Sequence, residues 1–174
     1  MIVAFDNGLD GAGCAISKVD GSIIDYTAMP TMERKGKREV DITAVREWLR
    51  NINIQPDADI VIEEPLRHAR SSQAVRSMAI SFGRLAALSE LMGHEPFCVE
   101  VREWQNAMLG KVPKGHTKVA ALKAVRTLEP DEQWLKHDRC RSPHDGIIDA
   151  YLIARYCWQT FTQNEQVPHN RKRT

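Results

Sequence analysis

The sequence predicts a mixed α/β fold in which an antiparallel meander of three strands precedes alternating helices and strands. Two observations predict this class. Short β-type segments separated by turn residues open the chain, and amphipathic helical segments then alternate with further apolar strands. A third observation excludes a competing class. The chain has no G-x-G-x-x-G or phosphate-loop motif, and the opening meander also argues against a dinucleotide-binding sheet.

The first forty residues are predicted to be rich in strands. The segment "IVAFD" predicts a buried strand that ends at Asp6, and the "NG" after it predicts a turn. "GAGCAISKV" and "SIIDYTAM" predict the second and third strands, and the "DG" between them predicts a two-residue hairpin loop. "ERKGKREV" predicts a charged loop, and we expect residues 31–39 to be mobile.

The middle of the chain is predicted to alternate helix and strand. Asp41 predicts the start of a helix that ends near Asn51. "ADIVIEE" predicts the fourth strand, which Pro65 stops, and residues 72–92 predict a long helix whose apolar stripe is rich in small residues. "PFCVEV" predicts the fifth strand.

The C-terminal part is predicted to be helical. "REWQNAML" predicts a short helix, and "TKVAALKAVRTL" predicts a helix that Thr117 or Gly115 starts. "EPDEQWLKHDRCR" is predicted to be irregular or briefly helical. The last helix is predicted to begin near Ser142 and to end near Phe161, before the polar tail.

Length and composition fit a single domain. The chain has 174 residues, of which 43% are hydrophobic, and this is enough for one core but not for two. We expect one domain over residues 1–163 and a polar, basic tail over residues 164–174. The sequence has no apolar run that could span a bilayer and no signal-peptide pattern, so we expect a cytoplasmic protein with no membrane partner.

The four cysteines are scattered and are expected to be reduced. Cys14, Cys98 and Cys157 lie among apolar residues, which predicts small core side chains. His137 and Cys140, with a histidine at position 144, have spacing that allows a zinc site. No fourth ligand is found nearby, and a polar loop is the favoured interpretation.

Overall charge gives no argument for nucleic acid, because 24 basic and 23 acidic residues leave a net charge of +1. The basic residues are nevertheless clustered, either as solvated surfaces or as sites for phosphate, which implies that acidic groups collect elsewhere. The clusters are Arg67, His68, Arg70 and Arg76; Lys111, Lys114, His116 and Lys118; and Arg171, Lys172 and Arg173.

Acidic residues stand at the ends of two predicted strands. Asp6 ends the first strand, and Glu63 and Glu64 end the fourth. Ligands usually bind at this edge of open α/β sheets. Each residue also has a structural interpretation, Asp6 as a turn residue and the glutamates as a solvated strand end.

Two further carboxylates lie one turn apart in the last helix. Asp145 has a structural interpretation as the third helical residue after a Ser142 cap, with Pro143 in the first position. Asp149 lies in an almost unbroken apolar run, where an unpaired carboxylate is costly. A divalent cation such as Mg²⁺ would neutralise it, and acidic groups from separate elements can hold two ions about 4 Å apart for phosphodiester hydrolysis.

The residues that suggest this chemistry also resemble a known family. "FDNG", "IVIEEP", "SFGRLAAL", "FCVEVREWQNAMLG", "KGHTKVAALKAV" and "HDGIIDAYLIARY" follow one another in the order seen in RuvC-type Holliday-junction resolvases, especially a phage and prophage branch. The resemblance covers residues 2–156. It implies a ribonuclease-H-like fold with a five-stranded mixed sheet flanked by helices, and a cytoplasmic location in a bacterial or phage-infected cell.

The resemblance also implies the site. It places metal ligands at Asp6, Glu63, Asp145 and Asp149, with Mg²⁺ or Mn²⁺ as the cofactor and two ions per site. Many members have the two acids of the last helix three residues apart, whereas here they are four apart, so Asp145 is assigned less firmly than Asp149. Glu64 is the alternative if the strand register differs by one residue.

Several further roles follow from the same resemblance. Lys118 is similar to the family's basic residue near the scissile phosphate. His144 is a candidate helper that polarises water or contacts a phosphate, and the alternative is a surface histidine. Trp104 is interpreted as core packing. The residues expected to hold the DNA backbone are Arg67, Arg70, Arg76, Lys111, Lys114, His116 and Lys118.

The expected partners are branched DNA and a second copy of the chain, which would pair through the helix of residues 72–92. The leading hypothesis is a structure-selective DNA endonuclease that cuts four-way junctions with paired symmetric nicks. One alternative is a branched-DNA or flap nuclease of the same fold with broader substrates. Another is a DNA-binding module of this fold that does not catalyse.

Overall fold

A five-stranded sheet and a separate two-stranded hairpin account for all the strands in residues 1–65 and 71–165, which the computed structural model describes. Apolar runs of three to five residues explain the central strands, because such runs are typical of strands buried on both faces. The strands are β1 (Ile2–Asp6), β2 (Ala12–Ile16), β3 (Ile23–Ala28), β4 (Thr31–Arg34), β5 (Lys37–Val40), β6 (Asp59–Glu63) and β7 (Phe97–Val99).

The large sheet has the order β3-β2-β1-β6-β7. Strands β1, β2 and β3 form the antiparallel meander, and β6 and β7 run parallel to β1. The predicted five-stranded mixed sheet is therefore confirmed. In the β1–β6 ladder Phe5 lies opposite Ile62, which brings the carboxyl ends of the two strands to the same edge.

Helices cover both faces of this sheet and bury two separate apolar layers. Ile2 and Ala4 face the layer that contains α5, while Val3 and Phe5 face the layer that contains α1 and α2. The alternation follows from the two-residue period of a strand. The helices are α1 (Ile42–Asn51), α2 (Ser72–Leu91), α3 (Val101–Leu109), α4 (Thr117–Leu128) and α5 (Asp145–Glu165).

The predicted helices are confirmed with small changes at their ends. Asp41 caps α1 as predicted, because its carboxylate accepts hydrogen bonds from the main-chain N–H of Thr43 and of Ala44. The predicted domain boundary at residue 163 falls inside α5, and residues 166–174 of the predicted tail lie outside the described residues. In the described part of the chain, no helix is both long and apolar enough to cross a membrane.

The charged segment after β3 is a hairpin, so the prediction of a loop is wrong. Strands β4 and β5 pair antiparallel, and Lys35 and Gly36 form the tight turn with φ of 51° and 70°. Positive φ at both positions is typical of a two-residue turn that matches the twist of a hairpin. Most side chains of the hairpin are exposed, so the sequence shows no apolar alternation that would predict these strands.

Two other local predictions are also wrong. The β2–β3 connection is longer than two residues, because Ser17 N–H donates to Ser22 O at 2.8 Å and Gly21 N–H donates to Ser17 O at 2.9 Å. Cys98 is exposed, not buried. It lies on the edge strand β7, where Val99 is the buried residue and Cys98 points to the opposite face.

Candidate active site

Three carboxylates from three separate elements face the same apolar layer. Asp6 follows Ala4 and Glu63 follows Val61 at a spacing of two residues, and both alanine and valine belong to the layer that contains α5. Strand alternation therefore turns both carboxylates toward α5. Helix α5 packs across β1 and β2 and carries Asp149 on its second turn.

Helix α5 starts two residues later than predicted. His144 is its capping residue, because Ile147 N–H lies 3.1 Å from His144 O and 3.3 Å from His144 Nδ1. His144 N–H donates to the carbonyl of the buried Trp134 at 2.7 Å, and this long-range contact anchors the helix start there. The prediction of a Ser142 cap is therefore wrong, and Asp145 occupies the first helical position instead of the third.

Two glycines allow α5 to approach the turn after β1. A Cβ atom at Gly146 would lie 2.5 Å from Asp10 O and 2.6 Å from the Cα of Gly11. A Cβ atom at Gly11 would lie 2.2 Å from Asp6 O. Both contacts are with main-chain atoms that cannot move aside cheaply. The glycines are therefore what allows the first turn of α5 to lie directly over the chain that carries Asp6.

The three carboxylates repel one another. Burial, and then the charge of Asp6, raises the pKa of Glu63 to about 8. Burial, followed by the charges of Asp6 and Asp145, raises the pKa of Asp149 to about 7. The pKa of Asp6 is also raised, chiefly by burial, although Gly8 N–H donates to its Oδ1 at 3.0 Å. Among the described residues, none of the three forms an ion pair.

The donor set fits a hard divalent cation. Carboxylate oxygens are the ligands that Mg²⁺ and Mn²⁺ prefer, and a cation would remove the repulsion that raises these pKa values. The side chains are not arranged as a complete set of metal ligands, however. Within residues 1–65 and 71–165, no three His, Cys, Asp or Glu side chains have an arrangement that could hold an ion. Holding a cation with three of these ligands therefore requires the side chains to rearrange.

These pKa values predict how stability depends on pH in the absence of divalent ions. Between about pH 5 and pH 8 the folded chain binds more protons at Glu63 and Asp149 than the unfolded chain does, so raising the pH through this window lowers the free energy of unfolding. We expect Glu63→Gln to be more stable than the wild type at pH 8 by about 1–3 kcal/mol, and to lose most of that advantage at pH 5.

The measurement is thermal unfolding in a chelator across this pH range. The exposed Glu95→Gln serves as the matched control and should follow the wild type. A Glu63→Gln advantage that is the same at every pH would contradict the explanation.

The fourth predicted ligand is in a different environment. Asp145 is half exposed and forms an ion pair with Lys118, which is largely exposed. The hydrogen bond to Asp145 raises the pKa of Lys118. Glu64 lies outside β6, is partly exposed, and donates its main-chain N–H to Val99 O at 2.8 Å. The structure thus groups Asp6, Glu63 and Asp149, and places Asp145 and Glu64 nearer the surface.

The predicted DNA-contacting residues are exposed where the structure describes them. Lys111 and His116 line an open groove of about 670 Å³ between α3, α4 and α5, and Lys114 lies in the α3–α4 loop. Arg76 is exposed on the second turn of α2. The remaining two residues, Arg67 and Arg70, lie outside the described residues, as does His68.

The three residues whose spacing allows a zinc site, His137, Cys140 and His144, do not come together around one point. His137 and Cys140 contact each other, with Cys140 Sγ 3.4 Å from His137 Nε2. His144 instead caps α5. Burial lowers the pKa of His144, which favours the neutral imidazole.

Sequence reasoning missed two side chains that hold Glu63. Trp104, interpreted as core packing, is indeed buried, but its Nε1–H also donates to Glu63 Oε1 at 2.8 Å. Asn7, interpreted as a turn residue, is fully buried and donates from Nδ2 to the main-chain oxygen of Glu63. A buried indole N–H usually finds a partner, and this was the available signal for Trp104.

The sheet order, the flanking helices and the acidic edge define a ribonuclease-H-like fold. Among solved structures the chain is similar to Thermus thermophilus RuvC, with a TM-score of 0.57 and 14% identity over 93% of this chain and 96% of that chain. A structure titled as T. thermophilus RuvC in complex with Holliday junction substrate gives a TM-score of 0.55 and 13% identity over 93% and 95%.

The chain therefore has the fold of a RuvC-type resolvase. No family model matches the sequence, and no curated protein does. At this level of identity the similarity concerns the fold.

Proposed function

We propose that the chain is a structure-selective DNA endonuclease that resolves four-way junctions by metal-dependent hydrolysis, with paired symmetric nicks. One observation carries the proposal. Asp6, Glu63 and Asp149 converge from β1, β6 and α5, with Glu63 buried and the two aspartates half-buried, and all three have raised pKa values and no ion pair among the described residues. Buried acidic groups with no cation to neutralise them are costly unless they serve a function.

The proposed cofactor is Mg²⁺ or Mn²⁺, with two ions per site. Asp6, Glu63 and Asp149 would hold the ions, with Asp145 as the fourth ligand after it leaves Lys118. Bound ions of this kind activate the attacking water and stabilise the leaving oxygen. The mutual repulsion of the three carboxylates supports this assignment, because a dication would neutralise their charges.

The chain's own residues would hold the DNA. We propose that Lys118, beside the carboxylates, contacts the scissile phosphate, and that Lys111, Lys114 and His116 contact the backbone nearby. Such contacts position a duplex without reading its sequence. His144 uses Nδ1 as an acceptor at the helix start, so its neutral ring carries the proton on Nε2 and can donate toward a phosphate.

We further propose a homodimer formed through α2, because a two-fold dimer matches a junction with two equivalent strands. An exposed stripe runs along this helix at spacings of three and four residues, which places its members on one face. We call this set the α2 stripe: Ile80, Gly83, Ala87 and Leu91. Leu91 is 87% exposed and Ile80 is 44% exposed, and large apolar side chains exposed in a row are typical of an interface.

Ile80→Glu is expected to convert the dimer to a monomer, because it places a charge within the α2 stripe. The measurement is sedimentation equilibrium at micromolar concentration. Val19→Glu is the matched control, since Val19 is an exposed apolar residue in the β2–β3 loop, far from α2 in sequence. A wild-type chain that sediments as a monomer, or an Ile80→Glu variant that stays dimeric, would contradict the proposed interface.

The proposed activity is tested on synthetic DNA with Mg²⁺ or Mn²⁺. We expect cleavage of a four-way junction at symmetry-related positions in two strands, and little cleavage of linear duplex of the same sequence. Unsymmetrical cuts in flaps and forks would favour the broader nuclease, and junction binding with no cleavage and no ion binding would favour the non-catalytic module. From the motif resemblance we also propose that the chain belongs to the phage and prophage branch and acts in the cytoplasm of a bacterial or phage-infected cell.

A further inference from the structure

The main-chain pairing between β1 and β6 ends just before the two carboxylates. Phe5 opposite Ile62 is the last pair of this parallel ladder. Beyond it Asp6 pairs with Ala12 on the other side, in β2. Asp6 and Glu63 themselves are therefore one step beyond the last main-chain pair between β1 and β6.

The side chain of Asn7 continues the ladder by one step. Glu64 N–H points to β7, where it donates to Val99 O at 2.8 Å. In a planar trans peptide the carbonyl points opposite to the N–H, so the oxygen of Glu63 points toward β1. Asn7 Nδ2 donates to that oxygen and so takes the place of a main-chain donor.

The position of Asn7 is unusual for a turn residue. Its side chain is fully buried, and its Oδ1 is buried without a hydrogen-bond partner among the described residues. An asparagine that served only to form the turn would keep its amide at the surface, where both polar atoms are solvated. Among residues 1–65 and 71–165, the one hydrogen bond of this side chain is the link to Glu63, between the two strand ends that carry the site.

We propose that Asn7 is a positioning residue that sets the separation of Asp6 and Glu63, and thereby the affinity of the site for divalent ions. This inference rests on the proposed function. Groups that orient the ligands of a metal typically change its affinity by about 10- to 100-fold when they are removed. The carboxylates here must rearrange to hold an ion, and the link between their strands limits how far they can separate.

The test is Mn²⁺ binding by calorimetry on the ion-free protein, together with the Mg²⁺ concentration that gives half-maximal junction cleavage. For Asn7→Ala we expect about 10-fold weaker Mn²⁺ binding and a half-saturating Mg²⁺ concentration raised by a similar factor. Cleavage at saturating Mg²⁺ should return close to the wild-type rate, because a positioning defect is overcome by excess ion and a folding defect is not.

Val45→Ala is the control for lost stability, since Val45 is fully buried on the other face of the sheet. It should lower the unfolding temperature and leave the Mn²⁺ affinity unchanged. If Asn7→Ala does not fold, Asn7→Ser replaces it, because its hydroxyl is one bond too short to reach Glu63 O.

The possible results of these measurements distinguish a failure of the proposed role of Asn7 from a failure of the proposed nuclease activity. An active wild type with unchanged ion dependence in the Asn7 variant overturns the role of Asn7 and leaves the nuclease intact. A wild type that binds Mn²⁺ but cuts no junction overturns the nuclease, while weaker binding in the variant still supports Asn7. A wild type that binds no divalent ion overturns both.

Discussion

Asp149→Asn is expected to reduce junction cleavage by roughly 100- to 1000-fold, the loss typical of removing one group that stabilises charge in a transition state. The change is nearly isosteric, so it removes a charge without leaving a cavity. Asp149 is surrounded by the apolar layer of α5, and its pKa of about 7 reflects that burial. The loss should therefore reflect missing ion binding, not unfolding.

Three measurements define this result. Single-turnover cleavage gives the rate, gel-shift binding in a chelator gives junction affinity, and thermal unfolding gives stability. We expect affinity equal to or greater than that of the wild type, because a negative charge near the DNA has been removed. Stability should not fall at pH 8. Asp131→Asn, an exposed change in the loop after α4, is the control and should cut normally. Full activity of Asp149→Asn would refute the mechanism.

Gly146→Ala is expected to destabilise the fold and to abolish cleavage, although the substitution lies within a helix. In an ordinary helix, glycine to alanine stabilises by about 1 kcal/mol. Here the added Cβ would lie 2.5 Å from Asp10 O and 2.7 Å from the main-chain carbon of Gly11. Such overpacking typically costs about 1–3 kcal/mol, so the sign of the effect reverses. Because α5 must move away from the turn after β1, Asp149 also moves away from Asp6 and cleavage should be lost.

Gly83→Ala is the matched control, since a Cβ at Gly83, the other glycine within a described helix, would meet open space. Gly83 belongs to the α2 stripe, so a change there could also alter the proposed dimer. Both glycine variants are therefore compared for stability in the Ile80→Glu background, where we expect the unfolding of a monomer. We expect Gly83→Ala to raise the free energy of unfolding and Gly146→Ala to lower it. Cleavage is then measured for Gly146→Ala alone. An equal gain in stability for the two variants would contradict the close approach.

Those parts of the fold that bury long apolar segments could be predicted from the sequence. The continuous apolar runs of β1 and β6 located Asp6 and Glu63 at strand ends, and the apolar run of α5 singled out Asp149. The β4–β5 hairpin could not be predicted in this way, because most of its side chains are exposed and its strands carry no periodic signal.

Contacts between distant positions could not be predicted either. The start of α5 depends on Trp134, whose carbonyl holds His144, and no local capping rule includes that contact. The links from Asn7 and Trp104 to Glu63 span 56 and 41 positions in the chain. Side chains that join separate elements leave no periodic pattern, so only the folded chain reveals them.

The face of the sheet to which Asp6 points depends on its position along β1, because alternate residues of a strand point to opposite faces. Ile2, Ala4 and Asp6 share the face toward α5 because they lie two residues apart. Inserting one residue within β1 would turn Asp6 toward the apolar layer of α1 and α2, whereas inserting two would return it to its own side. The site therefore depends on the number of residues in β1 as well as on which residues they are. An insertion of odd length would turn Asp6 away from Glu63 and Asp149, although every carboxylate would still be present in the chain.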